Sequence, residues 1–209
     1  MGRITLPILL LCLFVAPLLQ AQPFQLNDHY FKVFRERPPA DPERVQVESF
    51  FWYACPHCYQ LEPYLHGWQR RMPDFVDYRQ VPAMFERPNV IMHAKTFYAL
   101  QMMGVDEAIH AAIFDAMHKQ NLRLNTQPEM EEVLQREGVD LEAYRNAMRS
   151  FAINVQANQA RELANDYEIS GVPTLVIGGK YRARNLEGPR MMELLNYLVD
   201  KVKREQKGG

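Results

Sequence analysis

The stretch that most constrains this chain is Val45 to Pro63, which reads VQVESFFWYACPHCYQLEP. A β-branched and aromatic run ends abruptly at Tyr53, Cys55-Pro56-His57-Cys58 follows, and Tyr59, Leu61 and Leu65 open an amphipathic segment. The pattern predicts a strand, a tight junction and the start of a helix. Pro56 suits the first helical position, because its missing N–H would be unpaired there in any case, so Cys55 falls at the cap and Cys58 one turn further in. Free backbone N–H groups and the positive end of the helix dipole favour a thiolate over a thiol at Cys55. His57, protonated or with its ring N–H turned toward Cys55, adds to that preference. A thiolate stabilised in the reduced form makes the disulfide easier to reduce, and therefore a stronger oxidant of other thiols. Cys58, facing inward, is expected to be the resolving thiol.

Other uses of a CxxC pair fit poorly. Tetrahedral zinc needs four ligands, and the chain has no second cysteine pair and no tight histidine pair. Haem attachment needs histidine directly after the second cysteine, where Tyr59 stands. His29, His66, His93, His110 and His118 show no ligand-like grouping and read mostly as solvent-facing or hydrogen-bonded structural residues. No metal and no organic cofactor is expected. Met92, Met102, Met103 and Met117 read first as adaptable core filling and second as the lining of an apolar groove for extended chains.

The segment 1–21 carries one early charge, Arg3, an apolar run from Ile4 to Leu19 and a small residue, Ala21, at a cleavage point. This is the pattern of a signal peptide, with an uncleaved anchor as the alternative because Leu19 is large for its place before the cut. Cys12 lies in the apolar run. Removing the segment takes the three cysteines to one thiol pair and the formal charge from −1 to −2. A bridge across a two-residue gap constrains little of the unfolded chain, so a structural disulfide is the weaker reading. The near-neutral charge gives no basic bias toward nucleic acid or anionic lipid.

Downstream, Pro38 to Pro42 is a connector, and Phe75 to Val81 alternates as a second sheet strand. Helical periodicity follows at Val90 to Met103, Asp106 to Lys119, Pro128 to Glu137, Leu141 to Ser150 and Val155 to Tyr167. Thr126 with Glu129 reads as a capping box and Asp140 as another cap. Thr174 to Ile177 and Lys180 to Ala183 form a hairpin about Gly178-Gly179, and Pro189 opens a final helix. Periodicity alone gives an α/β chain with an inserted helical block.

The FWYACPHCYQLEP segment, with Gly171-Val172-Pro173-Thr174 far downstream, resembles the DsbA family of periplasmic thiol-disulfide oxidoreductases. The resemblance implies a thioredoxin-like sheet with an inserted all-helical domain: 1–21 signal peptide, 22–85 and 168–209 the two parts of the thioredoxin-like domain, and 86–167 the insertion. It implies an exported enzyme that donates a Cys55–Cys58 disulfide to unfolded or reduced exported proteins in the periplasm and is reoxidised by a DsbB-like membrane partner. No dimerisation domain is evident, so a monomer is expected. On sequence alone a trans Val172–Pro173 bond is the commoner form; the resemblance implies a cis bond facing the cysteines, with Val172 and Pro173 touching substrate. One departure stands out. The family often buries an acidic residue six positions before the first cysteine, opposite a lysine; here Ser49 holds that place, Glu48 is one residue off, and Tyr78 stands where the lysine is expected. Either Glu48 enters through a bulge or protons take another, water-mediated route, the second being preferred. Two other readings remain: a reductase or isomerase using the same thiols, and a non-enzymatic peptide-binding chaperone.

Overall fold

The structure, a computed structural model, describes residues 24–208. The expected signal segment and Cys12 lie outside the described residues. Strand β1 (Tyr30–Lys32), β2 (Val45–Phe51), β3 (Val76–Pro82), β4 (Thr174–Ile177) and β5 (Tyr181–Ala183) form one mixed sheet in the order β1-β5-β4-β2-β3. β2 pairs in parallel with β3 and antiparallel with β4. All of its residues except Gln46 are buried, as a strand covered on both faces requires.

Helix α1 (Pro56–Gln69) and the terminal helix α7 (Gly188–Gly208) cover one face, where Val45, Val47 and Ile177 meet Leu61, Leu65, Trp68, Leu194 and Leu198. Between β3 and β4 come α2 (Pro88–Met103), α3 (Asp106–His118), α4 (Gln127–Arg136), α5 (Leu141–Arg149) and α6 (Phe151–Asp166). Small residues of α2 and α6, Ala94, Ala157 and Ala160, let those helices close on Phe50, Val81 and Val176 across the second face. The end of β2 then leaves the sheet core and enters the helical one. Phe51, Tyr53, Cys55 and Cys58 share a cluster with Phe97, Leu100, Ile113, Phe114, Met130, Leu134 and Tyr144. The segment bearing the cysteines is therefore the seam between sheet and insertion. Among the described residues no helix is long and apolar enough to cross a membrane.

The α/β reading with a helical insertion holds, and local caps explain where elements begin. Thr126 Oγ1 accepts the Glu129 N–H at 3.5 Å while the Glu129 carboxylate accepts the Thr126 N–H at 3.1 Å. Asp140 accepts from the N–H groups of Glu142 and Ala143 at 2.9 and 3.1 Å. α6 starts at Phe151 instead of Val155, because Ser150 Oγ caps it by accepting the Ile153 N–H at 3.3 Å. Phe151 is 82% exposed, so the first turn has no apolar face for periodicity to detect. Of the methionines, Met92, Met103 and Met117 pack against the helical core, whereas Met102 is exposed.

The β4–β5 hairpin turns on Gly178 and Gly179, at φ +64° and +61°. Gly179 also receives the N–H of Arg37 on its carbonyl at 3.0 Å, and a Cβ there would stand 1.8 Å from the Arg37 carbonyl oxygen. Both the backbone conformation and the close approach require glycine. Gly179→Ala is expected to lower unfolding free energy by about 2–3 kcal/mol, read as a lower urea midpoint with unchanged slope.

Candidate active site

Cys55 is the N-cap of α1. Its φ of −87° and ψ of 114° are extended, Pro56 occupies the first helical turn, and Cys55 Sγ accepts the Cys58 N–H at 3.4 Å. Cys55 is 8% exposed and Cys58 1%, whereas Pro56 and His57 are exposed. Both cysteines are free thiols, so the geometry is that of the reduced pair.

The Cys55 thiol is pulled down from an ordinary 9.0 to about 6. The largest cause is the hydrogen bond from the Cys58 thiol; burial opposes it, then the backbone N–H groups of Cys58 and His57 and the His57 charge lower it further. The helix-terminus argument thus holds, but the chief donor is the second cysteine, which sequence reasoning cast only as a resolving thiol. Cys58 moves the opposite way, far above the usual thiol range, because its proton is held by Cys55 and burial disfavours its charge. One thiolate is stabilised at the expense of the other.

The Val172–Pro173 bond is cis, and the loop it belongs to meets the cysteines directly. The Cys55 thiol donates to the Val172 carbonyl oxygen at 3.3 Å. Val172 is half-buried and packs against both the helical cluster and the sheet cluster, and Pro173 is buried. All six residues singled out in the sequence, Cys55, Pro56, His57, Cys58, Val172 and Pro173, therefore lie at one place.

Three residues read as merely structural prove to hold the loop before Cys55. His93 Nε2 donates to the Leu124 carbonyl at 2.7 Å, leaving Nδ1 to accept the Trp52 indole N–H at 3.0 Å, and burial holds its pKa below the ordinary value. His110 Nδ1 lies 3.0 Å from the Tyr53 hydroxyl. His118 Nε2 donates to the Tyr53 carbonyl at 2.8 Å and stacks on the Tyr59 ring at 4.8 Å. All three come from the helical insertion. A sequence signal existed for two of them, since His110, Phe114 and His118 recur every fourth residue on one face of α3.

Glu48 and Ser49 settle the departure noted above. The β2–β3 register is regular from Val45↔Val76 to Phe51↔Pro82, with no bulge. Glu48, fully buried, turns to the face opposite α1 and ion-pairs with Arg79. Tyr78 pairs with Val47, and the residue beside Ser49 is Gln80. Gln80 Nε2 instead donates to the Glu62 carboxylate at 3.1 Å and lies 3.0 Å from His110 Nε2. Among the described residues no group of acidic, histidine and cysteine side chains could hold a metal ion.

A capping cysteine with a lowered pKa, a buried partner thiol and a cis-proline loop within hydrogen-bond reach define a thioredoxin-like thiol-disulfide oxidoreductase site. Comparison with known proteins agrees. Residues 46–200 match the model of the DSBA-like thioredoxin domain family. The thiol:disulfide interchange protein DsbA of Azotobacter vinelandii is 38% identical over 185 residues, covering 87% of this chain and 86% of that protein. The DsbA of Pseudomonas aeruginosa is 37% identical over 186 residues, covering 87% of each. Its crystal structure superposes with a TM-score of 0.83 at 34% identity, covering 88% of this chain and 97% of that one. The chain belongs to the DsbA family of protein thiol:disulfide oxidoreductases, which act by disulfide donation.

The lowered pKa makes stability depend on pH and redox state. Because the folded value lies below the unfolded one, the Cys55 thiolate stabilises the reduced fold above about pH 9, and that contribution is lost as pH falls through about 6. The disulfide form has no such contribution. The urea midpoint of the reduced protein is expected to fall relative to that of the oxidised protein between pH 9 and 6. In Cys58→Ala, which lacks the chief donor, Cys55 should titrate closer to 9 when followed by thiolate absorbance.

Proposed function

We propose that the Cys55–Cys58 disulfide is donated in two steps. A substrate thiolate attacks Cys55 Sγ, the Cys55–Cys58 bond breaks, and Cys58 leaves with the electron pair and takes up a proton. A second substrate thiolate then attacks the substrate sulfur of the mixed disulfide, and Cys55 departs as a thiolate. Pro56 and His57 tune the leaving thiolate by setting and charging the helix terminus. Val172 and Pro173 receive the extended substrate chain, main chain to main chain, which binds many sequences without reading them.

The substrates are unfolded or reduced exported proteins, and the enzyme works as a monomer in the periplasm after removal of the segment 1–21. A DsbB-like membrane protein reoxidises the pair at the same Val172 loop. Residues 86–167 serve as the inserted domain that backs the cysteine loop, with 22–85 and 168–209 as the two parts of the thioredoxin-like domain. The observation that carries this reading is a cysteine sulfur that caps α1, accepting the Cys58 N–H at 3.4 Å, and also lies 3.3 Å from the Val172 carbonyl. The reactive sulfur and the main-chain docking group are adjacent.

Equilibration of the purified protein with glutathione tests it. The expected potential is more oxidising than the about −270 mV of thioredoxin, whose attacking cysteine titrates near 7. The oxidised protein should restore activity to a reduced disulfide-containing enzyme, and Cys55→Ser should abolish this. A potential as reducing as thioredoxin's would move the function to reduction or isomerisation. Retention of activity by Cys55→Ser would leave only peptide binding.

A further inference from the structure

Cys55 reaches its place through a tight turn. Its N–H donates to the Trp52 carbonyl at 2.9 Å, so Trp52 and Cys55 open and close a four-residue turn with Tyr53 and Ala54 between them. The direction of the Trp52 peptide therefore decides where Cys55 enters the cap of α1. The same main chain serves the second cysteine. The Trp52 N–H is hydrogen-bonded to the Cys58 sulfur and draws that thiol's pKa down, whereas Cys55, burial and the Glu62 charge push it up. One residue thus holds the backbone of one cysteine and the sulfur of the other.

Trp52 lies just past the end of β2, and its side chain anchors it. The half-buried indole packs in the helical cluster and donates to His93 Nδ1 at 3.0 Å. An indole N–H can only donate, so Nδ1 is bare and the ring proton sits on Nε2, which donates to the Leu124 carbonyl at 2.7 Å. Leu124, 2% exposed, adopts φ +47°, a left-handed conformation that a leucine seldom takes. One turn before His93, Asn89 Nδ2 donates to Asn125 Oδ1 at 3.3 Å, so α2 holds the connector between α3 and α4 at two points. The Tyr53 ring meets the imidazole edge-on at 6.0 Å. His93, 1% exposed, is held as one neutral tautomer between a connector and an indole.

A buried imidazole is a costly way to fill a core, since both nitrogens need partners that a leucine or phenylalanine would not. The redox pair gives it a use. A group that stabilises the reduced and oxidised folds equally leaves the potential unchanged, and one that favours either form moves it. The reduced form needs the N–H groups of the α1 terminus and the Cys58 thiol aimed together at Cys55 Sγ. In the disulfide the two sulfurs are bonded to each other, and that alignment matters less.

We propose that His93 is a positioning residue for the disulfide: by fixing the Trp52 indole it keeps the Trp52 main chain against both cysteines and so sets the oxidising strength of the Cys55–Cys58 pair. Releasing the indole lets the turn swing and Cys55 Sγ leave the axis of its donors. The thiolate then loses stabilisation, the reduced protein is less favoured, and the disulfide becomes a weaker oxidant. The inference rests on the donation reading given above.

The test equilibrates each variant with reduced and oxidised glutathione and titrates Cys55 by thiolate absorbance. His93→Phe keeps a ring without an acceptor, and Trp52→Phe removes the indole donor while leaving the bond from His93 to Leu124. Each should raise the Cys55 pKa by about half a unit to one unit and shift the glutathione equilibrium about three- to tenfold toward the disulfide. The double variant should shift no further than either single one, because both break the same link. His93→Gln, whose amide can accept from the indole and donate to the carbonyl, should return most of the shift. Trp52→Phe, at a half-buried position, decides the matter where His93→Phe does not fold. Shifts that add in the double variant would overturn the proposal, as would single variants that lower the urea midpoint of both redox forms equally and leave potential and Cys55 titration at wild-type values. Failure of the donation reading would look different, since the wild-type protein itself would then show a potential as reducing as thioredoxin's.

Discussion

The rest of this structure depends on a helix capped by sulfur. The usual N-cap is an oxygen of serine, threonine, aspartate or asparagine accepting a backbone N–H. Here Cys55 Sγ takes that place, accepting from Cys58 N–H at 3.4 Å, and Pro56 fixes the first turn behind it. A thiolate is a far better acceptor than a disulfide sulfur, so reduction strengthens the cap and oxidation weakens it. The same N–H groups that end α1 therefore favour the reduced protein, and this is the physical source of the disulfide's readiness to pass to another chain. Folding and redox chemistry are coupled through one backbone hydrogen bond and one thiol proton.

A cap of this kind works only if the sulfur stays where the helix axis points. Two parts of the chain, both distant in sequence, hold it. The helical insertion fixes Trp52 and Tyr53 through His93, His110 and His118, using one indole N–H, one hydroxyl and one carbonyl. The loop before β4 places the Val172 carbonyl 3.3 Å from Cys55 Sγ. That carbonyl accepts from the thiol form and would face the thiolate with like partial charge, so it favours the proton on Cys55 and works against the cap. The hydrogen bond from the Cys58 thiol outweighs the opposing burial, the N–H groups of Cys58 and His57 add to it, and the Cys55 pKa comes to about 6, where the thiolate predominates at neutral pH.

What was legible in the sequence follows from how local each cause is. Pro56 after Cys55, Thr126 three residues before Glu129, Asp140, and the paired glycines at 178 and 179 act within one turn, so their residue types name their geometry. The start of α6 was not legible, because Ser150 both ends one helix and caps the next while the exposed Phe151 hides the apolar stripe. The three histidines were not legible as a group. Their partners are between 31 and 65 residues away, and nothing in a histidine's neighbours tells which distant carbonyl or hydroxyl it will meet. The chief cause of the lowered Cys55 pKa was hidden for a subtler reason. CxxC spacing indicates that Cys58 is near, but not that its proton points at Cys55.

The strand and the helix also explain why an acid near Cys58 cannot be moved by one residue along β2. Strand side chains alternate between faces, so Glu48 is one position from Ser49 and yet on the opposite side of the sheet, bound to Arg79. Burying that carboxylate without a cation would be prohibitive, which makes the Glu48–Arg79 pair a requirement of its own burial and unavailable to the cysteines. A helix offers a different geometry. Positions four apart return to the same face, so α1 can present Glu62 one turn beyond Cys58 without altering the sheet. Gln80, neutral and directly beside Ser49 in register, then has no charge to balance and spends its two amide hydrogens on Glu62 and His110. On the face that carries the cysteines the carboxylate thus comes from α1, while the central strand beneath them stays uncharged there.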